Sequence, residues 1–160
     1  MILVAAGTHH QPFDRLVAAA EALARAIDEP VVLQRGASRR AAPACEVHDQ
    51  MPPEVFDAQL AAARIVVLHG GSSSFLQARS HGHTPIVVPR RPEHREHVDD
   101  HQVRFAASLG DEAVVTDPGS VVATVRAWVG PGGDRVVVDP DARSRLFGQR
   151  LGRILGALVS

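Results

Sequence analysis

Ile65-Val66-Val67-Leu68-His69-Gly70-Gly71-Ser72-Ser73-Ser74 is the stretch on which the fold turns. Four consecutive apolar residues, without the polar alternation of a half-solvated strand, describe a strand covered on both faces. The glycines and serines that follow describe a tight turn into a helix. Gly70 and Gly71 allow a ligand close to the backbone, and the first amides of the next helix point outward, unpaired, at the positive end of its dipole. Such a turn suits a phosphate. The hydroxyls of Ser72, Ser73 and Ser74 can donate to phosphate oxygens, with Ser73 or Ser74 also expected to cap the helix. His69, at the strand end, can donate from its ring or add positive charge when protonated. The turn alone does not fix a ligand, because glycine-serine turns between strand and helix are common in α/β proteins.

Similar apolar runs lie on either side. Residues 2–6, 31–33, 45–48, 86–88 and 113–116 read as strands, and helical spacing separates them. Phe13, Leu16, Val17, Ala20, Leu23, Ala24 and Ile27 share one helix face, and Val55, Phe56, Leu60 and Ala63 mark another helix behind Pro52 and Pro53. Further helices are expected from the glycine-serine turn to about residue 81, through Phe105 to Leu109, and over residues 118–129. Apolar strands alternating with helices predict an α/β fold, a Rossmann-like doubly wound parallel sheet. Ligands of such sheets bind at the carboxyl ends of the strands, so Gly7-Thr8, residues 69–74 and residues 90–102 should line one crevice.

With 160 residues, 45% of them hydrophobic, the chain can build a sizeable core. The formal charge of -1, from 17 basic and 18 acidic side chains mixed along the sequence, offers no field to hold a nucleic acid. The single cysteine, Cys45, excludes an internal disulfide and reads as a small buried hydrophobe. Residues 2–6 are too short for a signal peptide or a membrane span, and a cytoplasmic location is expected. Residues 1–129 read as one binding domain. Residues 130–140 read as a link to an amphipathic helix at 141–159, with Leu146, Phe147, Leu151, Ile154, Leu155 and Leu158 on its apolar side. That helix is expected to pack on this domain, on a partner or at an anionic membrane surface.

Residues 65–102, IVVLHGGSSSFLQARSHGHTPIVVPRRPEHREHVDDHQ, resemble the C-terminal domain of glycosyltransferase family 28. Residues 2–16, ILVAAGTHHQPFDRL, are similar to the opening of the stand-alone donor-binding subunits of split N-acetylglucosaminyl and exopolysaccharide glycosyltransferases. The resemblance implies the donor-binding half of a GT-B fold, with Gly7, Thr8, His69 and the turn Gly70 to Ser74 around the diphosphate of a nucleotide sugar. Thr8 and Ser74 are the expected hydroxyl donors. It implies His48 against the base, uracil by family preference, and Asp99, His101 and Gln102 near the sugar hydroxyls, although an aspartate at 99 or 100 can equally be a plain helix cap. Arg90 is expected either as a ligand of pyrophosphate or of a carboxylate, or as a solvated loop charge. Gln77 stands where the family carries a ribose-binding glutamate, and an amide cannot supply a carboxylate's charge-assisted bond.

The expected function is donor binding for sugar transfer from a nucleoside-diphosphate sugar. The acceptor half would lie on a membrane-associated partner subunit that can hold this chain at the inner membrane face. No catalytic residue is assigned. No cofactor is expected. No metal site is expected either: His94, His97 and His101 have helix-compatible spacing, but Val98 stands where a zinc-protease helix has its glutamate, and Pro92 places the segment in a loop. Two alternatives stay open, a non-catalytic nucleotide-sugar-binding module, as a monomer or a homodimer, and a generic mononucleotide-binding fold.

Overall fold

A computed structural model describes residues 1–128. The expected link and amphipathic helix at 130–160 lie outside the described residues. Six strands form one parallel sheet: β1 (Ile2–Ala5), β2 (Val31–Gln34), β3 (Glu46–His48), β4 (Ile65–Leu68), β5 (Ile86–Val87) and β6 (Val114–Val115). Their order is β3-β2-β1-β4-β5-β6. Ile2 sits opposite both Val31 and Ile65, so β1 lies in the middle, between β2 and β4. The helices are α1 (Asp14–Ala26), α2 (Pro53–Ala62), α3 (Ser72–Ser80), α4 (His101–Ser108) and α5 (Val121–Trp128).

Every residue of β1, β2 and β4 is buried, which explains the missing polar alternation. Side chains still alternate between the faces. Ile2 and Val4 join Leu33 and Val67 in a core with Phe13, Leu16, Val17 and Leu23 from the α1 side and Val121 and Val125 from α5. Leu3 and Ala5 join Val66 and Leu68 in a second core with Phe56 and Leu60 of α2, Phe75 and Ala78 of α3 and Ala106 of α4. Phe75 and Phe105 meet edge to face there, with centroids 5.5 Å apart. One sheet thus carries helices on both faces, the doubly wound architecture expected.

Several boundaries differ from expectation. Gly71, with φ -75° and ψ 129°, is the N-cap of α3, and no side chain caps the helix, so neither Ser73 nor Ser74 has that role. Residues 118–120 form a 3-10 turn before α5. The Asp117 carboxylate sets the turn by accepting from the Gly119 amide at 2.8 Å and the Ser120 hydroxyl at 3.1 Å. Cys45 is half-buried, and burial raises its thiol to about 11, followed by the nearby Glu21, which keeps it inert.

The chain runs from β1 outward through β2 to β3, then returns to lay β4 on the other side of β1. The loops after β1 and β4 therefore diverge from neighbouring strand ends and open a crevice. Gly36, in the loop after β2, closes one side of this arrangement. Its φ is +62°, and a Cβ there would lie 2.2 Å from the Gly7 carbonyl oxygen. Gly36→Ala is expected to destabilise the chain by about 2 kcal/mol or more in urea unfolding. A loss within experimental error would show that the loops after β1 and β2 are not held against each other.

Candidate functional site

Two glycines of the crevice serve a histidine. A Cβ on Gly7 would lie 2.5 Å from His69 Nε2, and one on Gly71 would lie 2.4 Å from the same atom. The imidazole thus fills the space those two residues leave empty. The expectation that Gly71 is bare so that a ligand can approach is corrected: the space beside its Cα is taken by His69. Gly70 meets a different need, with φ +84° and Pro89 Cα 3.3 Å from where a Cβ would stand.

The His69 ring is largely enclosed, and its Nδ1 has no hydrogen-bond partner. Burial, and then the positive charge of Arg90, lower its pKa to about 4, opposed only in part by the Ala5 backbone. At neutral pH it is therefore an uncharged imidazole with one donor and one acceptor nitrogen. Of the two contributions expected of His69, ring donation and charge, the lowered pKa leaves that of a neutral polar group at the end of β4.

Arg90 supplies the positive charge instead, from a position no ligand reaches. Its side chain is 0% exposed. Nη1 donates to the carbonyls of Gln11 at 2.7 Å and Glu96 at 2.8 Å, Nη2 donates to that of Ala6 at 2.7 Å, and the guanidinium lies 5.0 Å over the Phe13 ring. Burial lowers its pKa to about 10, with Glu96 opposing, so it stays charged at neutral pH. The expectation of Arg90 as either a ligand of pyrophosphate or of a carboxylate, or a solvated charge, is corrected on both counts. It is a buried clamp joining the loop after β1 to the loop after β5. The clamp is backed by Arg15, whose Nε and Nη2 donate to the Glu96 carboxylate at 2.7 and 2.8 Å, and by the Arg91 amide, which donates to that carboxylate at 3.0 Å. Sequence reasoning assigned no role to Arg15 or Glu96, whose positions are 81 residues apart.

At the start of α3, Ser72 and Ser73 are exposed, and the Ser74 hydroxyl donates weakly to the Gly71 carbonyl at 3.3 Å. The first helical backbone bond runs from the Phe75 amide to the Gly71 carbonyl. The amides of residues 72–74 precede it at the uncapped end, beside the ring of His69. Thr8 is exposed in the facing loop, and Gln77 stands in the second turn of α3, half-buried.

The loop after β5 brings the remaining expected residues to the crevice mouth. Gln102 is buried, its Oε1 accepts from the Arg90 amide at 3.1 Å, and its Cβ stands 3.5 Å from the space over Gly70. The acceptor half of that amide is therefore engaged in holding the loop. Asp99 Oδ1 accepts from both the backbone amide of His101 at 3.1 Å and its Nδ1 at 2.5 Å, bonds that hold the Asp99 carboxyl below the usual range. Asp100 is the N-cap residue of α4 and pairs with Arg104 at 3.1 Å. Asp100 makes no side-chain cap bond, whereas the Asp99 carboxylate accepts from the first amide of α4. His48, at the carboxyl end of β3, is partly exposed and pairs through Nε2 with Glu46 at 2.9 Å. Met51, in the loop that follows it, is buried in the α2-side core.

Four histidines form a column that sequence spacing did not reveal. His10 lies against His9 with centroids 4.3 Å apart, His9 against His97 at 4.4 Å, and His97 against His101 at 4.5 Å. Burial, then the neighbouring imidazoles, lower the pKa values of His9 and His97. His94, grouped with His97 and His101 by spacing, is instead exposed in a 3-10 turn (Pro92–His94).

The arrangement brings together the chemistry an anion calls for. It has an uncapped helix N-terminus, a neutral imidazole at a strand end, exposed hydroxyls, and a buried cation whose field reaches the site without contact. The family model of the glycosyltransferase family 28 C-terminal domain matches residues 1–126. Solved structures with a similar fold include the glycotransferase of kitacinnamycin, with 24% identity and a TM-score of 0.59 over 93% of this chain and 37% of that one. They also include the calicheamicin glycosyltransferase CalG4, with 22% identity and a TM-score of 0.57 over 96% of this chain and 42% of that one. SnogD from Streptomyces nogalater has 21% identity and a TM-score of 0.54 over 99% of this chain and 42% of that one. The chain thus spans less than half the length of each. No curated protein matches it.

Proposed function

The chain belongs to the glycosyltransferase family 28 C-terminal domain family, and from that membership we propose that it binds a nucleoside-diphosphate sugar, UDP-linked, as the donor half of a glycosyltransferase. The observation that carries this reading is the uncapped N-terminus of α3 beside His69, at the point where the strand order reverses around β1. In this account the amides of residues 72–74 and the hydroxyls of Ser72, Ser73, Ser74 and Thr8 hold the diphosphate. Gly7 and Gly70 shape the backbone around it, and Gly71 keeps the His69 ring in place. His48 lies on the side of the base and Gln77 on that of the ribose. Asp99, His101 and Gln102 face the sugar.

During transfer, negative charge grows on the leaving diphosphate. Fixed amide dipoles and the His69 ring stabilise it without rearranging, and the buried charge of Arg90 adds potential from behind. A neutral histidine suits this task, since it donates a hydrogen bond without carrying a proton that would be lost near pH 7.

The acceptor and its base belong, in this proposal, to a second domain on a membrane-associated partner subunit. Among the described residues no helix is long and apolar enough to cross a membrane; in this proposal attachment to a membrane comes through that partner. The isolated chain is expected to bind donor and transfer no sugar in a product assay with acceptor present, with transfer appearing once the partner is added. Robust transfer by the chain alone would contradict the division of labour. Gln77 favours a second reading, a nucleotide-sugar-binding module without catalysis, for which the partner would leave the assay silent.

A further inference from the structure

The column of imidazoles ends in a group with the composition of a metal site. One ligand atom each from His97, Asp99 and His101 lie within 4.8 Å of one another. His97 Nδ1 is 3.3 Å from Asp99 Oδ1, and His101 Nδ1 is 2.5 Å from the same oxygen. In a tetrahedral site with ligand bonds of 2.0–2.1 Å, neighbouring ligand atoms stand about 3.3 Å apart. The first separation already has that value. The second is a hydrogen bond that opens by under an ångström when a cation takes the place of the shared proton. The three residues alternate along one short segment that ends at the first residue of α4, so all three ligands come from neighbouring positions of one stretch of chain.

The surroundings fix the group in place. His97 is 7% exposed and lies between His9 and His101, with its ring nearly perpendicular to that of His101 at 86°. The Asp99 carboxylate is tied to the backbone amide of His101, which orients it toward both rings. Asp99 and His101 are themselves exposed, which leaves an entry path.

We propose that His97, Asp99 and His101 bind one divalent cation of the zinc class. Two imidazoles and one carboxylate suit a borderline ion with tetrahedral preference. Calcium and magnesium, which call for six or more oxygen ligands, do not fit this set. Three protein ligands leave a fourth position for water or an incoming oxygen. This proposal departs from the expectation of no metal site, in which Val98 and Pro92 weighed against a helical grouping of His94, His97 and His101. The relevant spacing is instead every second residue, from the loop after β5 to the first residue of α4.

The test is calorimetric titration of Zn2+ into the chain freed of metal by a chelator, with no nucleotide present, so that its outcome does not depend on the donor reading. One equivalent is expected to bind. His101→Ala, at an exposed position that folding tolerates, and Asp99→Asn are each expected to weaken binding by more than about 10-fold, a loss already typical of removing an outer-shell partner. His94→Ala is expected to change nothing. Substituted Co2+ should give the intense visible absorption of a four-coordinate ion, lost in His101→Ala. Absence of saturable binding overturns the proposal, and so does binding that His101→Ala and Asp99→Asn leave unchanged.

Discussion

Arg90→Ala is expected to destabilise the chain by about 3 to 5 kcal/mol, the cost of leaving three buried carbonyls without the donor they share. The guanidinium joins the carbonyls of Ala6, Gln11 and Glu96, three groups that no helix or strand satisfies in its place. Its loss would leave buried acceptors unpaired at about 1 to 3 kcal/mol each and would remove the cation from the face of Phe13. The loop after β1 and the loop after β5 would separate, and the crevice with them. Arg90→Lys keeps the charge but not the planar fork, and should recover only part of the loss. Urea unfolding checks both variants. A change in Arg90→Ala below about 1 kcal/mol would show that the clamp does not hold the fold.

Acid should weaken the fold through His69. Its imidazole titrates near 6.5 when unfolded and at about 4 when folded. Above pH 6.5 neither state binds the proton and stability is at its full value. As pH falls from 6.5 toward 4 the unfolded chain takes up the proton and the folded chain does not, so stability is lost across that window. The loss is on the order of 3 kcal/mol at one pKa unit per 1.36 kcal/mol. His9 and His97 shift in the same direction and steepen the slope. In His69→Gln the slope between pH 4 and 6.5 should flatten markedly, whatever that variant's stability at pH 7. An unchanged slope would mean that His69 is protonated as readily in the folded chain as in water.

The parts of the architecture that were legible in the sequence were those written in side-chain polarity. The apolar quartets of β1 and β4 could only be strands covered on both faces, and the glycine-serine turn placed the crevice at their carboxyl ends. Backbone partnerships left no such trace. Arg90 was ambiguous because its partners are carbonyls, which every residue type carries. Gly71 read as room for a ligand because a glycine records that space is needed, not what fills it. In this chain it is filled by His69. The histidine column joins His9 and His10 to residues nearly ninety positions away, and only the closeness of the loops after β1 and β5 reveals it. His94 was grouped with His97 and His101 on an assumed helical period, whereas the loop runs through a 3-10 turn that ends at Arg95 with φ 57°.

These misreadings alter the chemistry assigned to the crevice more than its location. Of the options the sequence left open, His69 keeps that of a neutral ring donor, and the positive charge near the crevice is that of one buried guanidinium. A site of this kind recognises a diphosphate by fixed donors, so its affinity should depend little on salt compared with a site built from exposed lysines and arginines.

The most direct measurement of the central claim is calorimetric titration of the chain with UDP, TDP, GDP and AMP. The account predicts saturable binding of a nucleoside diphosphate, UDP most tightly, with AMP much weaker. It also predicts that Ser74→Ala and Thr8→Val each weaken UDP binding by about 1 to 3 kcal/mol. Equal affinity for AMP and UDP, or UDP binding that neither substitution alters, would contradict it.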